Sequence, residues 1–123
     1  MVDAMSLALV VAGGAAGGVA RVTVASLVAR RLDPAFPWGT LVVNLTGAFL
    51  IGLAAGLFVS SPDARIWQVA VIGFLGSYTT VSSFSLQTLS LVHAGKPGRA
   101  LANVLLSISF CLSAAGLGFW LAA

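Results

Sequence analysis

The sequence predicts an all-α membrane protein with four transmembrane helices, on the basis of its composition and of four long apolar stretches. Of its 123 residues, 59% are hydrophobic and only 7% are charged, whereas an ordinary soluble domain carries about 25% charged residues. The mean hydropathy of +1.08 points the same way. This composition excludes a soluble enzyme, a disordered tail and a nucleic-acid binder, and it leaves a small integral membrane protein in a lipid bilayer.

Four apolar stretches define the predicted spans. They run over about residues 6–28, 38–59, 66–92 and 100–121, with Pro, Gly, Ser or charged residues between them. Each has at least the ~20 residues with which a helix crosses a ~30 Å hydrocarbon layer. The stretches are too long for strands and lack strict alternation. Because the loops are short, we expect residues 1–123 to form one four-helix domain.

The basic residues predict the orientation of these spans. Arg30, Arg31, Lys96 and Arg99 lie at the first and third loops, whereas Arg65 alone lies at the second loop. The positive-inside rule then places loops 1 and 3 in the cytoplasm and both termini outside. The residues before the first span include no basic region and no A-x-A site, so we expect no cleaved signal peptide.

Small residues predict close helix packing and a dimer. Glycines with small-xxx-small spacing occur in spans 1 and 2, namely Gly13, Gly14, Gly17, Gly18, Gly52 and Gly56, and Gly116 and Gly118 add small surface in span 4. Such residues let helix backbones approach each other in lipid. Four short helices have little interior, so polar groups are enclosed more easily between two copies. We interpret Cys111, the one cysteine, as a small apolar packing residue.

Polar residues inside the spans are the main functional signal, because burying them in lipid is costly. Arg21 is the one charged residue well inside a span, and it either extends to the interface or has a structural or ion-attracting role. No span contains Asp or Glu, which argues against a proton- or cation-coupled carrier. No HExxH, CxxC, P-loop or nucleophile-elbow pattern occurs, and we expect no enzymatic activity.

Three spans carry polar residues that can share one path. Thr40 and Asn44 are four apart and so lie on one face of span 2. The Asn44 amide needs a partner, either in a helix–helix hydrogen bond or in a polar pore. Asn103 and Ser107 have the same spacing in span 4.

Span 3 combines Gly76 with a run of hydroxyl residues between Thr79 and Ser85. This pattern predicts a helix broken near its middle, which is tolerated only inside protein or beside water. Freed carbonyls there can hold a cation. The alternative is that the hydroxyls bond back to their own helix.

Three segments resemble the Fluc (CrcB) family of fluoride channels, and the resemblance covers nearly the whole chain. Residues 13–21 (GGAAGGVAR) are similar to the glycine-rich first helix of that family, which ends in Arg. Residues 39–47 (GTLVVNLTG) resemble its G-T-L-x-x-N-x-x-G segment. Residues 73–85 (GFLGSYTTVSSFS) resemble its G-x-x-G-G-x-T-T-F-S-T-F-S signature.

The resemblance implies an antiparallel dual-topology dimer with two narrow fluoride pores, which passively exports fluoride across the inner (plasma) membrane. It implies a central Na⁺ ion held by the backbone carbonyls of Gly76 and Thr79 from both subunits. It also assigns pore residues, namely Asn44 with Thr40 one turn away, Phe84, Ser82 and Ser85, and a polar track at Asn103 and Ser107.

Two features depart from the family pattern. Val81 stands where the family has its first pore phenylalanine, and Ser77 replaces the second glycine of a pair. The basic residues are also biased four to one toward one side, which a dual-topology chain should not show. One alternative is therefore a heterodimer in which an oppositely oriented paralogue supplies the missing aromatic residue. Two further alternatives are a small multidrug transporter, which would need a glutamate in span 1, and a structural membrane subunit.

Overall fold

The computed structural model describes residues 3–58 and 64–123, and all regular structure in these residues is helical. The elements are α1 (Ala4–Arg31), α2 (Trp38–Leu57), α3 (Ala64–Ile66), a π-helix (Trp67–Leu75), α4 (Gly76–Tyr78), α5 (Ser82–His93) and α6 (Pro97–Ala122). Four stretches are long and apolar enough to cross a membrane: Ala4–Arg31, Trp38–Leu57, Trp67–His93 and Pro97–Ala122. The prediction of four spans is confirmed. Val59, the predicted end of span 2, and loop residues 60–63 lie outside the described residues.

Local sequence signals explain several helix ends. Asp3 caps α1, because its Oδ1 accepts a 2.7 Å hydrogen bond from the Ser6 backbone N–H. That bond lowers the pKa of the Asp3 carboxyl. The helix ends with Arg30 and Arg31, which are basic residues where the helix dipole favours them. Pro97 occupies the first turn of α6, where a missing N–H costs nothing.

The third membrane-spanning stretch is irregular. Its first part is a π-helix in which the Gly76 N–H reaches the Val71 carbonyl, five residues back. Gly76 itself has helical angles, with φ −62° and ψ −37°. The first extended residue is Thr79, with φ −78° and ψ 155°. Regular α-helix resumes at Ser82 and continues to His93.

The helices pack in two pairs, with α2 on α6 and α1 on the π-helix. Glycine permits both contacts. A Cβ atom at Gly17 would collide with the Phe74 carbonyl oxygen, and one at Gly52 would collide with the Ala115 carbonyl oxygen. In contrast, a Cβ atom at Gly18 or Gly116 would meet nothing within 4 Å. The predicted packing role therefore applies to some of these glycines and not to others.

The apolar core is small and lies beside the irregular segment. Val43, Leu75 and Tyr78 are buried, and the Tyr78 ring stacks on Phe74 at 5.9 Å between centroids. The Tyr78 hydroxyl shares a 2.8 Å hydrogen bond with Thr46 Oγ1 on α2. Large apolar side chains are exposed on all four membrane-spanning stretches, as expected of surfaces that meet acyl chains or another subunit.

Candidate ion conduit

Asn44 on α2 binds the backbone of Thr80 at the interruption of the third stretch. Its Nδ2 donates to the Thr80 carbonyl at 2.8 Å, and its Oδ1 accepts from the Thr80 N–H at 2.7 Å. The amide thus satisfies a non-helical peptide group that would otherwise lack partners at membrane depth. This pair ties α2 to the segment between α4 and α5.

The Thr80 side chain organises the start of α5. Its Oγ1 accepts a 3.2 Å hydrogen bond from the Ser83 N–H and lies 3.3 Å from the Ser82 hydroxyl. This hydrogen bond satisfies one of the N–H groups in the first turn of α5 that have no partner within the helix. Thr79 behaves differently, because its Oγ1 bonds back to the Leu75 carbonyl at 3.0 Å. Back-bonding therefore accounts for one hydroxyl of the run and not for Thr80.

The same hydrogen bonds leave two carbonyls without their helical donors. In a continuous helix the Thr80 N–H would bind the Gly76 carbonyl, but here it donates to Asn44. The Ser83 N–H would bind the Thr79 carbonyl, but it donates to Thr80 Oγ1. The Gly76 and Thr79 carbonyls therefore lack the donors that a continuous helix would give them.

A groove opens on one side of the Asn44–Thr80 pair. We call it the Asn44 groove, and it has a volume of about 290 Å³. Its walls come from α2, the 79–81 segment, α5 and α6, and its lining residues are Asn44, Thr80, Val81, Phe84, Ser107, Ile108, Cys111 and Leu112. Residues with amide, hydroxyl, thiol and aromatic side chains thus line one groove, whose surface is almost entirely apolar.

A second cavity lies on the other side of Thr80. This Arg21 cavity has a volume of about 240 Å³ and is lined by Arg21, Val22, Ala25, Ser26, Thr40, Val43, Thr80, Ser83 and Gln87. Thr80 therefore lines both the cavity and the Asn44 groove. Two further cavities share Gln87 and continue past Trp38 toward Lys96. These three neighbouring cavities extend from the first and third loops to Thr80.

Two polar groups in the Arg21 cavity lack protein partners. The Thr40 residue is only 8% exposed, and its hydroxyl has no hydrogen bond within residues 3–58 and 64–123. The Gln87 Oε1 atom is buried and equally unpartnered there. Both groups therefore have hydrogen-bonding capacity that the described residues do not use.

The structure brings together Asn44, Val81, Phe84 and Ser107 in the Asn44 groove, while Thr40 and Arg21 lie in the Arg21 cavity. Thr40 and Asn44 thus line different spaces although they share a helix face. The predicted pore residues Ser82 and Ser85 are exposed on α5 and line neither space.

Asn103 is buried against α5 and lines neither space. It is 2% exposed, and its Nδ2 donates a 2.8 Å hydrogen bond to Thr88 Oγ1. Thr88 Oγ1 in turn donates to the Phe84 carbonyl at 2.7 Å. These two consecutive hydrogen bonds connect α6 to the turn of α5 that contains Phe84.

Three of these residues, Thr80, Gln87 and Thr88, were given no site role from the sequence, and Cys111 was interpreted as a packing residue. For Cys111 a signal existed, because Asn103, Ser107 and Cys111 follow the i, i+4, i+8 spacing of one helix face. For Thr80 and Thr88 the partners lie on other helices, 36 and 15 residues away. No periodicity within a single span identifies such pairs.

Comparison with known proteins agrees with this architecture. Residues 8–119 match the family model described as CrcB-like protein, Camphor Resistance (CrcB). A protein of Bradyrhizobium diazoefficiens named Fluoride-specific ion channel FluC 2 is 51% identical over 92% of this chain and 85% of its own length. A protein of the same name from Rhodopseudomonas palustris is 50% identical over 92% of this chain and 89% of its own. Fluoride-specific ion channel FluC of Rhodospirillum rubrum is 44% identical over 95% of this chain and 91% of its own.

These matches extend over most of the chain and agree with the resemblance read from its three motifs. The chain therefore belongs to the CrcB (FluC) family, a family of membrane ion channels and not of enzymes.

Proposed function

We propose that this protein is a fluoride channel that lets fluoride leave the cytoplasm passively, as the names of its relatives suggest. The observation that carries the proposal is the position of Thr80, which lines both the Arg21 cavity and the Asn44 groove. The two spaces meet at a non-helical residue held by an amide. In the proposed path an ion passes Thr80 as it moves between the Arg21 cavity and the Asn44 groove.

The groups along this route suit a small, strongly hydrated anion. Fluoride leaves water only where donors replace its hydration shell, and hydroxyls and the positive edges of aromatic rings supply them. Thr40 and Ser107 each carry a hydroxyl with no protein partner in the described residues, and Phe84 lines the groove beside Ser107. Arg21 in the adjoining cavity attracts anions. No acidic residue lines the Arg21 cavity or the groove.

The open side of the Asn44 groove supports a dimer. Val81 at its edge is 77% exposed, and a groove open to lipid cannot hold an ion. In the proposed assembly a second, oppositely oriented copy closes the groove and repeats it, which gives two conduits. A homodimer needs nothing but this chain, whereas the heterodimer would add a paralogue with an aromatic residue near Val81.

We also propose that the third crossing is a discontinuous helix that holds a Na⁺ ion at the dimer centre. The carbonyls of Gly76 and Thr79 are its ligands, because Asn44 and Thr80 Oγ1 have taken their helical donors. A bound cation supplies positive charge that offsets repulsion between anions nearby. Thermal unfolding of the purified protein should occur at higher temperature in sodium than in N-methyl-glucamine salts, and equal melting temperatures would argue against the site.

Fluoride efflux from liposomes tests the function. The purified chain is reconstituted alone into liposomes loaded with potassium fluoride, and efflux is followed with a fluoride electrode after addition of valinomycin. Efflux from the chain alone supports a homodimeric channel. Efflux that appears only after a paralogue is added would replace the homodimer by the heterodimer. No efflux in either case would contradict the proposed function.

A further inference from the structure

We propose that Cys111 is a modification site inside the conduit, at which small neutral thiol-directed reagents block fluoride flux. The inference rests on the proposed function, because it takes the Asn44 groove to be the ion path. Cys111 is the one cysteine of the sequence and is only half-buried. Its side chain lines the groove with Asn44, Phe84 and Ser107.

Ser107 provides independent support that the groove takes a polar solute. It precedes Cys111 by one helical turn and lines the same space. The residue is only 8% exposed, yet its hydroxyl has no hydrogen bond within residues 3–58 and 64–123, where a helical serine would commonly bond back to its own helix. The Ser107 hydroxyl is therefore available to a polar solute that enters the groove. The Cys111 thiol lies one helical turn further along the same groove.

The reaction with methyl methanethiosulfonate illustrates the chemistry. The thiol releases its proton, and the thiolate attacks the methylthio sulfur of the reagent. A new S–S bond forms while the bond between that sulfur and the sulfonyl group breaks, and methanesulfinate leaves with the electron pair. The neutral methyl disulfide on Cys111 projects into a groove of about 290 Å³ beside Ser107 and Phe84. It therefore occupies the space that the ion would cross.

The test measures labelling and flux on the same reconstituted protein. We expect the reagent to label Cys111, to reduce fluoride efflux at least about tenfold, and to be reversed by dithiothreitol. The Cys111→Ser variant should keep its own untreated rate after exposure to the reagent. Gly98→Cys in that background is the matched control, because Gly98 is exposed and a Cβ atom there meets nothing within 4 Å. It should be labelled without loss of flux.

Each outcome has a defined meaning. Full labelling of Cys111 in the parent chain with unchanged efflux would overturn the proposal, as would labelling of Gly98→Cys under conditions in which Cys111 stays unmodified. Absence of efflux from untreated protein would count against the proposed function instead. In that case the labelling rate of Cys111 relative to Gly98→Cys still decides whether the thiol faces an open, wetted groove.

Discussion

Asn44 and Thr80 are joined by two hydrogen bonds: the Asn44 amide donates to the Thr80 carbonyl at 2.8 Å and accepts from the Thr80 N–H at 2.7 Å. The residues are 36 positions apart. One side chain therefore holds the non-helical segment, withdraws a donor from the Gly76 carbonyl and lines the groove. The predicted ion path and the predicted cation site depend on the same pair.

The Asn44→Asp substitution tests whether Asn44 lines the ion path. In Asn44→Asp the carboxylate still accepts from the Thr80 N–H but cannot donate to the Thr80 carbonyl, and it places negative charge in the groove. We expect fluoride efflux to fall at least about tenfold, because an anion is repelled by a fixed charge in its path.

The liposome flux assay checks this expectation, with gel filtration as the control for folding. A well-folded Asn44→Asp protein that conducts fluoride at the parent rate would remove Asn44 from the conduit. A structural subunit without a transport role would show no fluoride efflux from either the parent or the variant.

Thr88 is expected to position Phe84 through the hydrogen bonds that link it to Asn103. Thr88→Val keeps the shape of the side chain but leaves the buried Asn103 amide without its acceptor, which costs about 1–3 kcal/mol. We expect a lower unfolding temperature and a reduced fluoride efflux. Thr88→Ser, which retains the hydroxyl, should restore both.

Loss of stability in Thr88→Val with normal efflux would limit Thr88 to a structural role. Equal behaviour of the Val and Ser variants would show that the hydroxyl is not needed at all.

Two adjacent glycines in α1 give a matched test of helix packing. A Cβ atom at Gly17 would collide with the Phe74 carbonyl, which is backbone and cannot swing away, whereas one at Gly18 meets nothing within 4 Å. We expect Gly17→Ala to destabilise the protein by about 1–3 kcal/mol, as overpacking does. Gly18→Ala should be neutral or slightly stabilising. Thermal unfolding in detergent compares them, and similar melting temperatures would contradict the α1 packing described above.

The number of spans could be predicted from the sequence because the length of an apolar stretch is a local property. The polar contacts could not, because their partners lie on other elements. Thr40 and Asn44 share a helix face, yet Thr40 lines the Arg21 cavity, Asn44 lines the Asn44 groove, and Thr80 lines both. The sequence did not fix where span 3 departs from helix: Gly76 keeps helical angles, and the first extended residue is Thr79.

Asn103 is a second residue whose role depends on a partner in another helix. Its position one turn before Ser107 predicts a shared polar track, and Ser107 does line the groove. Asn103 instead donates a hydrogen bond to Thr88 on α5, and no pattern within α6 identifies this partner. Cys111, which was interpreted as an apolar packing residue, extends the polar face of Ser107 along the groove.

Val81 offers a test of the departure from the family pattern. The residue is 77% exposed at the edge of the Asn44 groove, so a larger side chain fits without displacing the core. Val81→Phe would add a ring whose positive edge can face an anion. We expect fluoride efflux from the homodimer to increase by about twofold or more, because one more group replaces lost hydration.

Val81→Leu is the control for this substitution, because it enlarges the side chain without providing an aromatic edge. An increase in both variants would attribute the effect to closure of the groove by apolar volume. An increase in Val81→Phe alone would support direct contact between the ring and the ion. A decrease in Val81→Phe would mean that valine is required by the packing of the second subunit, and the aromatic residue would then have to come from a paralogue.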